Sequence, residues 1–205
     1  MKTDNKKLFE QLSAVQKGHF VLTSGNHSDT YVQCARILER PDVTAKLCKE
    51  LAKSWQNKKI TAVIGPAVGG IVISYELAQA LKAKAMYLER VEGNMTLRRG
   101  FAISPKDRII VAEDVITTGG SVKELIDVVE KNGAKVLGVI SLVDRRPDIC
   151  PGGNSDTSRR GKDKKLFGLR FDSVIKVNPP IYPPDNCPLC QKGIPTEKPG
   201  SRGLK

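Results

Sequence analysis

The sequence predicts an α/β domain built on a parallel sheet with helices on both faces. Three observations carry this reading. Strand-length and helix-length patterns alternate through the middle of the chain. The strand-length runs are apolar almost without interruption, as in a sheet covered on both sides. The run Ile109-Ile110-Val111-Ala112 leads into an acidic pair, a turn of hydroxyls and glycines, and a helix. Sheets of this kind bind ligands beyond the carboxyl ends of their strands, so the loops after Ile64, Leu88, Ala112 and Val143 are where function is sought.

Taken in order, residues 5–15 place Leu8, Phe9, Leu12 and Val15 at helical spacing, a short amphipathic helix. Residues 18–31 mix Gly, Ser, Asn and His and read as strand and turn. Pro41 opens a helix with Leu47, Leu51 and Trp55 recurring every four residues on one face. The alternation follows: a strand at 61–64, a helix at 71–81, a strand at 85–88, and a strand at 108–112 entered from the polar Ser104-Pro105-Lys106-Asp107 turn. A helix at 121–132 puts Val122, Leu125, Ile126 and Val129 on one face and closes at Gly133. A nearly continuous apolar strand covers 136–143. Residues 147–165 carry almost no apolar side chains and read as an exposed, mobile loop. Arg159, Arg160, Lys162, Lys164 and Lys165 form a basic cluster in it, a solvated loop before it is an arm for phosphate or nucleic acid. Strand returns at 169–177, and 179–205 is a Pro-rich extension whose last ten residues look like a polar tail.

Composition bounds the function. At 205 residues, 40% hydrophobic and 27% charged, the chain buries a real core and is not wholly disordered. Lys and Arg outnumber Asp and Glu, 34 to 22, and the resulting charge of +12 favours anionic partners. No apolar run approaches the roughly 20 residues that span a bilayer. Residues 1–10 are Lys-rich and polar and lack the apolar core of a signal peptide, so the expected place is the cytoplasm, away from membranes. Five cysteines, Cys34, Cys48, Cys150, Cys187 and Cys190, are too few and odd in number for a disulfide scaffold. In a reducing compartment they are expected as free thiols or metal ligands.

The chemistry concentrates in residues 109–121. Thr117-Thr118-Gly119-Gly120-Ser121 offers successive backbone N–H groups at a helix N-terminus, where partial positive charge favours phosphate. Gly119 and Gly120 let the backbone close on it, and Thr117, Thr118 and Ser121 add hydroxyl donors. Glu113 and Asp114 would repel a phosphate unless they bind something else. Vicinal sugar hydroxyls and a divalent cation are the natural choices. A site for a sugar 5-phosphate with free 2- and 3-hydroxyls follows. No Gly-Lys-Ser/Thr ending is present, so this is not a Walker loop. A second turn, Gly65-Pro66-Ala67-Val68-Gly69-Gly70, joins a strand to a helix and offers bare amides to a pyrophosphate.

These thirteen residues resemble the phosphoribosyl-diphosphate signature of the type I phosphoribosyltransferases, and the resemblance runs from about residue 18 to 177. It implies a Rossmann-like parallel sheet with a small hood over the active site. The chain then divides into an N-terminal helix and hood (1–40), a core (41–178) and the C-terminal extension (179–205). It implies Mg²⁺ carried by the substrate, with Asp114 the candidate protein ligand, and transfer of a phosphoribosyl group to a nitrogen nucleophile with release of pyrophosphate. The donor-binding residues it implies are Glu113, Asp114, Val115, Ile116, Thr117, Thr118, Gly119, Gly120 and Ser121, with Ala67 and Val68. It also implies a homodimer in which the lid of one subunit reaches the other's site.

Two segments narrow the choice. Residues 18–31 look like the hood of the orotate phosphoribosyltransferases, with Ser24 and Gly25 facing a planar, anionic pyrimidine beside Thr117. Asp144-Arg145-Arg146 ends the last core strand, and the matching Asp-Arg of that family points to Arg145 as the contact to orotate. Arg presents a planar fork that fits a carboxylate. The implied reaction joins orotate and phosphoribosyl diphosphate to give orotidine 5′-monophosphate, a step of pyrimidine biosynthesis. The departure lies in 89–100, which has no Lys and no His where the family's catalytic loop carries both; Asn94 stands at the usual Lys position. Arg90 matches the loop's leading Arg, and Arg98 and Arg99 are the available cations for the departing pyrophosphate. The segment resembles a divergent bacterial or archaeal subgroup, and residues 90–100 read as a lid with Gly93 and Gly100 as hinges.

Two other readings stand beside this one. A purine-type phosphoribosyltransferase would keep the signature without the hood and Arg145. A regulator of the same fold that binds nucleic acid would use the basic charge, but no helix-turn-helix or RNA-binding motif is visible. Cys187-Pro188-Leu189-Cys190 has the shape of half a zinc knuckle. A structural zinc needs four ligands. Cys150, Cys34 and Cys48 are the thiols left to complete it, or a second copy of the chain; a redox pair and an unliganded pair are the other readings. His19 and His27 fall in the hood and are expected to pack or to contact ligand, not to bind metal.

Overall fold

A computed structural model describes residues 4–22, 24–146 and 165–199. Six helices and ten strands are described: α1 (Asn5–Gln11), β1 (Val15–Val21), β2 (His27–Val32), α2 (Ala35–Leu38), α3 (Pro41–Ala52), β3 (Ala62–Pro66), α4 (Gly69–Leu81), β4 (Lys84–Val91), β5 (Asn94–Leu97), β6 (Arg108–Ile116), α5 (Gly120–Lys131), β7 (Lys135–Asp144), β8 (Lys165–Leu166), β9 (Leu169–Lys176), β10 (Ile181–Tyr182) and α6 (Pro188–Gln191).

Seven strands form one sheet in the order β5-β4-β3-β6-β7-β9-β8. The five inner strands run parallel, and β5 and β8 close the edges antiparallel. The alternation along each strand sends side chains to two separate cores. Val63, Ile110, Ala112, Ile140 and Leu142 meet Phe9 of α1, Leu47 of α3 and Ile73 and Leu77 of α4 on one face. Ala62, Ile64, Ile109, Val111 and Val139 meet Val122, Leu125, Ile126 and Val129 of α5 on the other. Both faces are dry, which is why the inner strands read as unbroken apolar runs. No helix among the described residues is long and apolar enough to cross a membrane.

The structure extends or revises several expected elements. The first helix stops at Gln11 because Val15 already belongs to β1, where it is buried. Helix α4 begins at Gly69, two residues before the periodicity does, since glycines carry no hydrophobic signal. Strand β6 runs to Ile116, so the acidic pair lies on the strand and not in the loop after it. Segment 90–100, expected as a lid, falls mostly in a hairpin: β4 pairs with β5 across the Glu92-Gly93 turn. Both turn residues are left-handed, at φ 49° and 85°, the conformation that matches the twist of a two-residue hairpin. Of the expected 147–165 loop, residues 147–164 lie outside the described residues, with Arg159, Arg160, Lys162, Lys164 and Cys150 among them; Lys165 opens β8 and pairs with Arg170.

A second, three-stranded sheet, β1-β2-β10, is made from the two ends of the chain. Strand β10 pairs with β2, and the Ser28 hydroxyl donates to the Pro180 carbonyl at 2.8 Å. On the far edge, Glu197 bridges Phe20, with its N–H donating to the His19 carbonyl at 2.7 Å. The extension expected to end as a polar tail is therefore docked on the hood through residue 197. Its Cys187 and Cys190 do not meet the other described cysteines: Cys34 donates its thiol to the Asp114 carbonyl at 3.6 Å, and Cys48 is buried in α3. They meet His19 and His27 instead, correcting the expected surroundings of all four residues. Four of the five cysteines are described, and all four are free thiols.

Candidate active site

The carboxyl end of β6 opens into a cleft of about 300 Å³ lined by Glu113, residues 115–122 and Glu124. Its floor is the turn from β6 to α5. Gly119 caps the helix at φ 82°, a backbone conformation that a side chain at this position would strain. The first-turn N–H groups of α5 have no carbonyl within the helix, and that of Gly120 approaches the Thr118 hydroxyl at 3.4 Å. Thr117 and Thr118 are exposed and Ser121 is half-buried, so the hydroxyls expected to serve a phosphate line open space.

The two acids divide. Glu113 shares the parity of Ile109 and Val111 and faces the α5 side, where it is buried and lines the cleft. Asp114 is half-buried on the α4 side, does not line that cleft, and accepts from the Val115 N–H at 2.8 Å. A Cβ on Gly69 would stand 2.6 Å from Asp114 Oδ2. The glycine of the second turn thus makes room for the carboxylate of the first, bringing the two turns together. Ala67, in that second turn, donates its N–H to the Leu88 carbonyl at 2.8 Å, and Val68 is 80% exposed. Burial first, and then the charge of and hydrogen bonding with Asp114, push the Glu113 carboxyl well above the ordinary carboxylate range. Each acid accepts one backbone N–H: Glu113 from Asp114 at 3.1 Å and Asp114 from Val115.

At the end of β7, adjacent arginines part company. Arg146 is taken by its own neighbour: its Nε and Nη2 donate to the two Asp144 oxygens at 2.9 and 3.0 Å, and its guanidinium lies 4.4 Å from the Phe171 ring centre. Arg145 is half-buried, and its Nε is buried with no hydrogen-bond partner among the described residues. Its backbone N–H donates to the Ile116 carbonyl at 2.8 Å, which fixes it beside the phosphate turn. Burial lowers its pKa from the usual arginine value, and Tyr31 of β2 and Cys34 lie close enough to act on it electrostatically. A guanidinium in this state is a socket for an anion.

The remaining expected residues are placed as follows. Arg90 donates to Glu124 at 2.9 Å and to the Gly93 carbonyl, which hangs it from the cleft wall. Arg99 forks onto Glu89 at 2.8 and 2.9 Å, and Arg98 is exposed. Asn94 reaches only the Glu92 carbonyl, at 3.3 Å. Ser24 and Gly25 form the exposed tip of the β1–β2 hairpin, with the Gly25 N–H held by the Leu22 carbonyl. Reading the sequence missed Glu124, Tyr31 and Cys34. Glu124 sits on the opposite side of α5 from its core stripe and carried no motif; the other two reach the site only through folding.

A parallel sheet with a phosphate-sized turn and an acidic pair at the end of its central strand defines a class, and the comparisons agree. Residues 35–158 match the phosphoribosyl transferase domain model, and the chain belongs to that family. Within it the chain falls among the orotate phosphoribosyltransferases. It is 46% identical to the orotate phosphoribosyltransferase of Thermotoga maritima over 98% of this chain and 99% of that one. It is 48% identical to that of Carboxydothermus hydrogenoformans, over 97% of each. Among solved structures, the Aeropyrum pernix orotate phosphoribosyltransferase superposes with a TM-score of 0.62 at 29% identity, over 83% of this chain and 92% of that one.

Proposed function

We propose that the chain transfers the phosphoribosyl group of 5-phosphoribosyl 1-diphosphate to a ring nitrogen of orotate, giving orotidine 5′-monophosphate and pyrophosphate in pyrimidine biosynthesis. The observation that carries the choice of base is Arg145. A half-buried guanidinium with an unused Nε, beside the phosphate turn, suits the carboxylate that orotate has and purine bases lack. The neighbouring Arg146 is spent on Asp144, so the two cannot exchange roles. Homology at 46% over the whole chain supports the same base, and the purine-type and nucleic-acid-binding readings are not favoured.

The turn of residues 117–121 holds the 5-phosphate through backbone N–H groups and the Thr117, Thr118 and Ser121 hydroxyls, so the helix dipole of α5 points at the phosphate charge. Glu113 and Asp114 accept from the ribose hydroxyls and lie where positive charge develops on the ring as the bond to pyrophosphate weakens. From the second turn the Val68 amide faces the pyrophosphate, whereas the Ala67 N–H, expected to do the same, is taken by the Leu88 carbonyl. The hard oxygen donors of the acidic pair fit Mg²⁺, with Asp114, half-buried where the two turns meet, the candidate ligand. When bound with the donor, Mg²⁺ neutralises the pyrophosphate and makes it a better leaving group. Arg90, held beside the cleft by Glu124, and the exposed Arg98 supply positive charge to the pyrophosphate, while Arg99 is forked onto Glu89; because arginine does not deprotonate near neutral pH they act by electrostatics, not proton transfer. Ser24, Gly25 and Thr117 border the base.

A homodimer is part of this reading. Val68, Val72 and Tyr75 form an exposed apolar stripe along the start of α4, 80%, 38% and 63% exposed, which a second copy would cover. Sedimentation of the protein as a monomer would remove it. The cytoplasm is the proposed location, in keeping with four described cysteines that form no disulfide with one another.

The deciding experiment incubates the protein with donor, Mg²⁺ and each free base in turn and follows orotate absorbance. Turnover with orotate alone is expected. Turnover with a purine but not orotate selects the purine-type enzyme, and no turnover with salt-sensitive nucleic-acid binding selects the regulator.

A further inference from the structure

Away from the active site, four side chains from the two ends of the chain converge. His19 lies on β1, His27 opens β2, Cys187 caps α6 and Cys190 lies within it. One ligand atom from each lies within 4.8 Å of all the others. His19 Nε2 is 2.9 Å from His27 Nδ1, 3.5 Å from Cys187 Sγ and 3.7 Å from Cys190 Sγ. Cys190 Sγ is 3.3 Å from His27 Nδ1. A tetrahedral zinc with Zn–S of about 2.3 Å and Zn–N of about 2.05 Å has S···N edges of about 3.6 Å and an N···N edge of about 3.3 Å. Three of the four sulfur–nitrogen edges match within a few tenths of an ångström, every pair lies within 4.8 Å, and the nitrogens need to part slightly.

The surroundings favour the same arrangement. His19 Nδ1 lies 2.7 Å from the Ile194 carbonyl, so Nδ1 carries the proton and Nε2 turns its lone pair to the cluster. His19, His27 and Cys187 are buried, which excludes water as a competing ligand on that side. Two thiolates and two imidazoles in a tetrahedral set suit Zn²⁺ and reject hard cations such as Mg²⁺.

We propose that His19, His27, Cys187 and Cys190 bind one structural Zn²⁺ that fastens the C-terminal segment to the hood hairpin. All four positions are filled by the protein, leaving none for substrate, so the ion's role is to hold structure. It grips both strands of the hairpin whose turn carries Ser24 and Gly25, and ties them to a segment 168 residues away in sequence. The site stands whatever base the active site takes.

The test uses untagged, full-length protein purified without chelator under reducing conditions. Elemental analysis is expected to find one zinc per chain, and Cys190→Ser and His27→Asn to lose it. Chelation of the wild type is expected to lower its melting temperature, and Zn²⁺ to restore it. Exchange with Co²⁺ is expected to give the visible bands of a tetrahedral site and a thiolate-to-cobalt charge-transfer band in the near ultraviolet. Wild-type protein that holds no zinc and shows no such bands with Co²⁺ overturns the proposal, as does zinc retained undiminished in both variants. The wild-type cobalt spectrum decides the matter even where a variant fails to fold.

Discussion

The two ligand-bearing regions of this molecule are built on opposite plans. At the carboxyl end of the central sheet, the phosphate turn and both acids come from one unbroken stretch, residues 113–121. In the cap, Ser28 meets Pro180 across 152 residues and His19 meets Cys187 across 168. The first region is held by the ladders of β6 with β3 and β7, which form whether or not its side chains do chemistry. The second is held by a handful of long-range contacts. Losing a side chain at the sheet end should therefore cost activity and spare the fold, whereas losing one in the cap should loosen the attachment of the hood.

The largest expected effect tests the first half of that contrast. Asp114→Asn keeps the shape and removes the charge. We expect kcat/KM to fall by about 10²–10³-fold, the scale of losing one preorganised electrostatic partner, with the melting curve nearly unchanged. Retained turnover would remove Asp114 from the chemistry. Next, the arginine pair divides activity from stability. Arg145→Ala should raise KM for orotate about 10²-fold, as expected for losing a charge-assisted fork, and leave KM for the donor near its original value. Arg146→Ala should instead destabilise by about 1–3 kcal/mol, because Asp144 is buried and loses its guanidinium. Urea titrations of both variants check this; equal stability losses would sink the distinction.

Gly69→Ala probes how closely the two turns meet. The new Cβ displaces the Asp114 carboxylate, and a misplacement of this kind should cost about 10–100-fold in turnover. Glu113 governs a pH effect. Its pKa is raised in the folded state, so the native protein binds more protons than the unfolded chain does. That contribution is fully present below the ordinary carboxylate value of about 4.3 and is lost as pH rises through the folded value. Thermal melts across this range should show a decline in the ligand-free protein, which Glu113→Gln flattens. The smallest effect belongs to the cap. Ser28→Ala leaves the Pro180 carbonyl without its donor and should cost about 1 kcal/mol. A larger loss of activity than of stability there would blur the comparison between the two regions.

Much of the fold was readable beforehand because its signals are local. Apolar runs buried on both faces mark β3, β6 and β7, and the 3.6-residue stripe of Val122, Leu125, Ile126 and Val129 marks α5. The edges were not readable. Strand β5 is short, half-exposed and joined to β4 by Glu-Gly, a weak turn signal, so it passed for a loop. Strands β8 and β10 have two residues each, too few for any period to show.

By itself, the sequence determined the parallel sheet, the phosphate turn and the acidic pair, because each is a contiguous string whose backbone conformation follows from its own residues. Tertiary structure alone decided which of two adjacent arginines is free, since that depends on Asp144 and Phe171 occupying the other. It decided that Asp114 rests against Gly69. It also decided that two histidines of the hood, which read as packing residues, stand with two cysteines from the far end of the chain. Residues that meet across most of the chain's length leave no spacing to read, because only the completed fold carries them into reach.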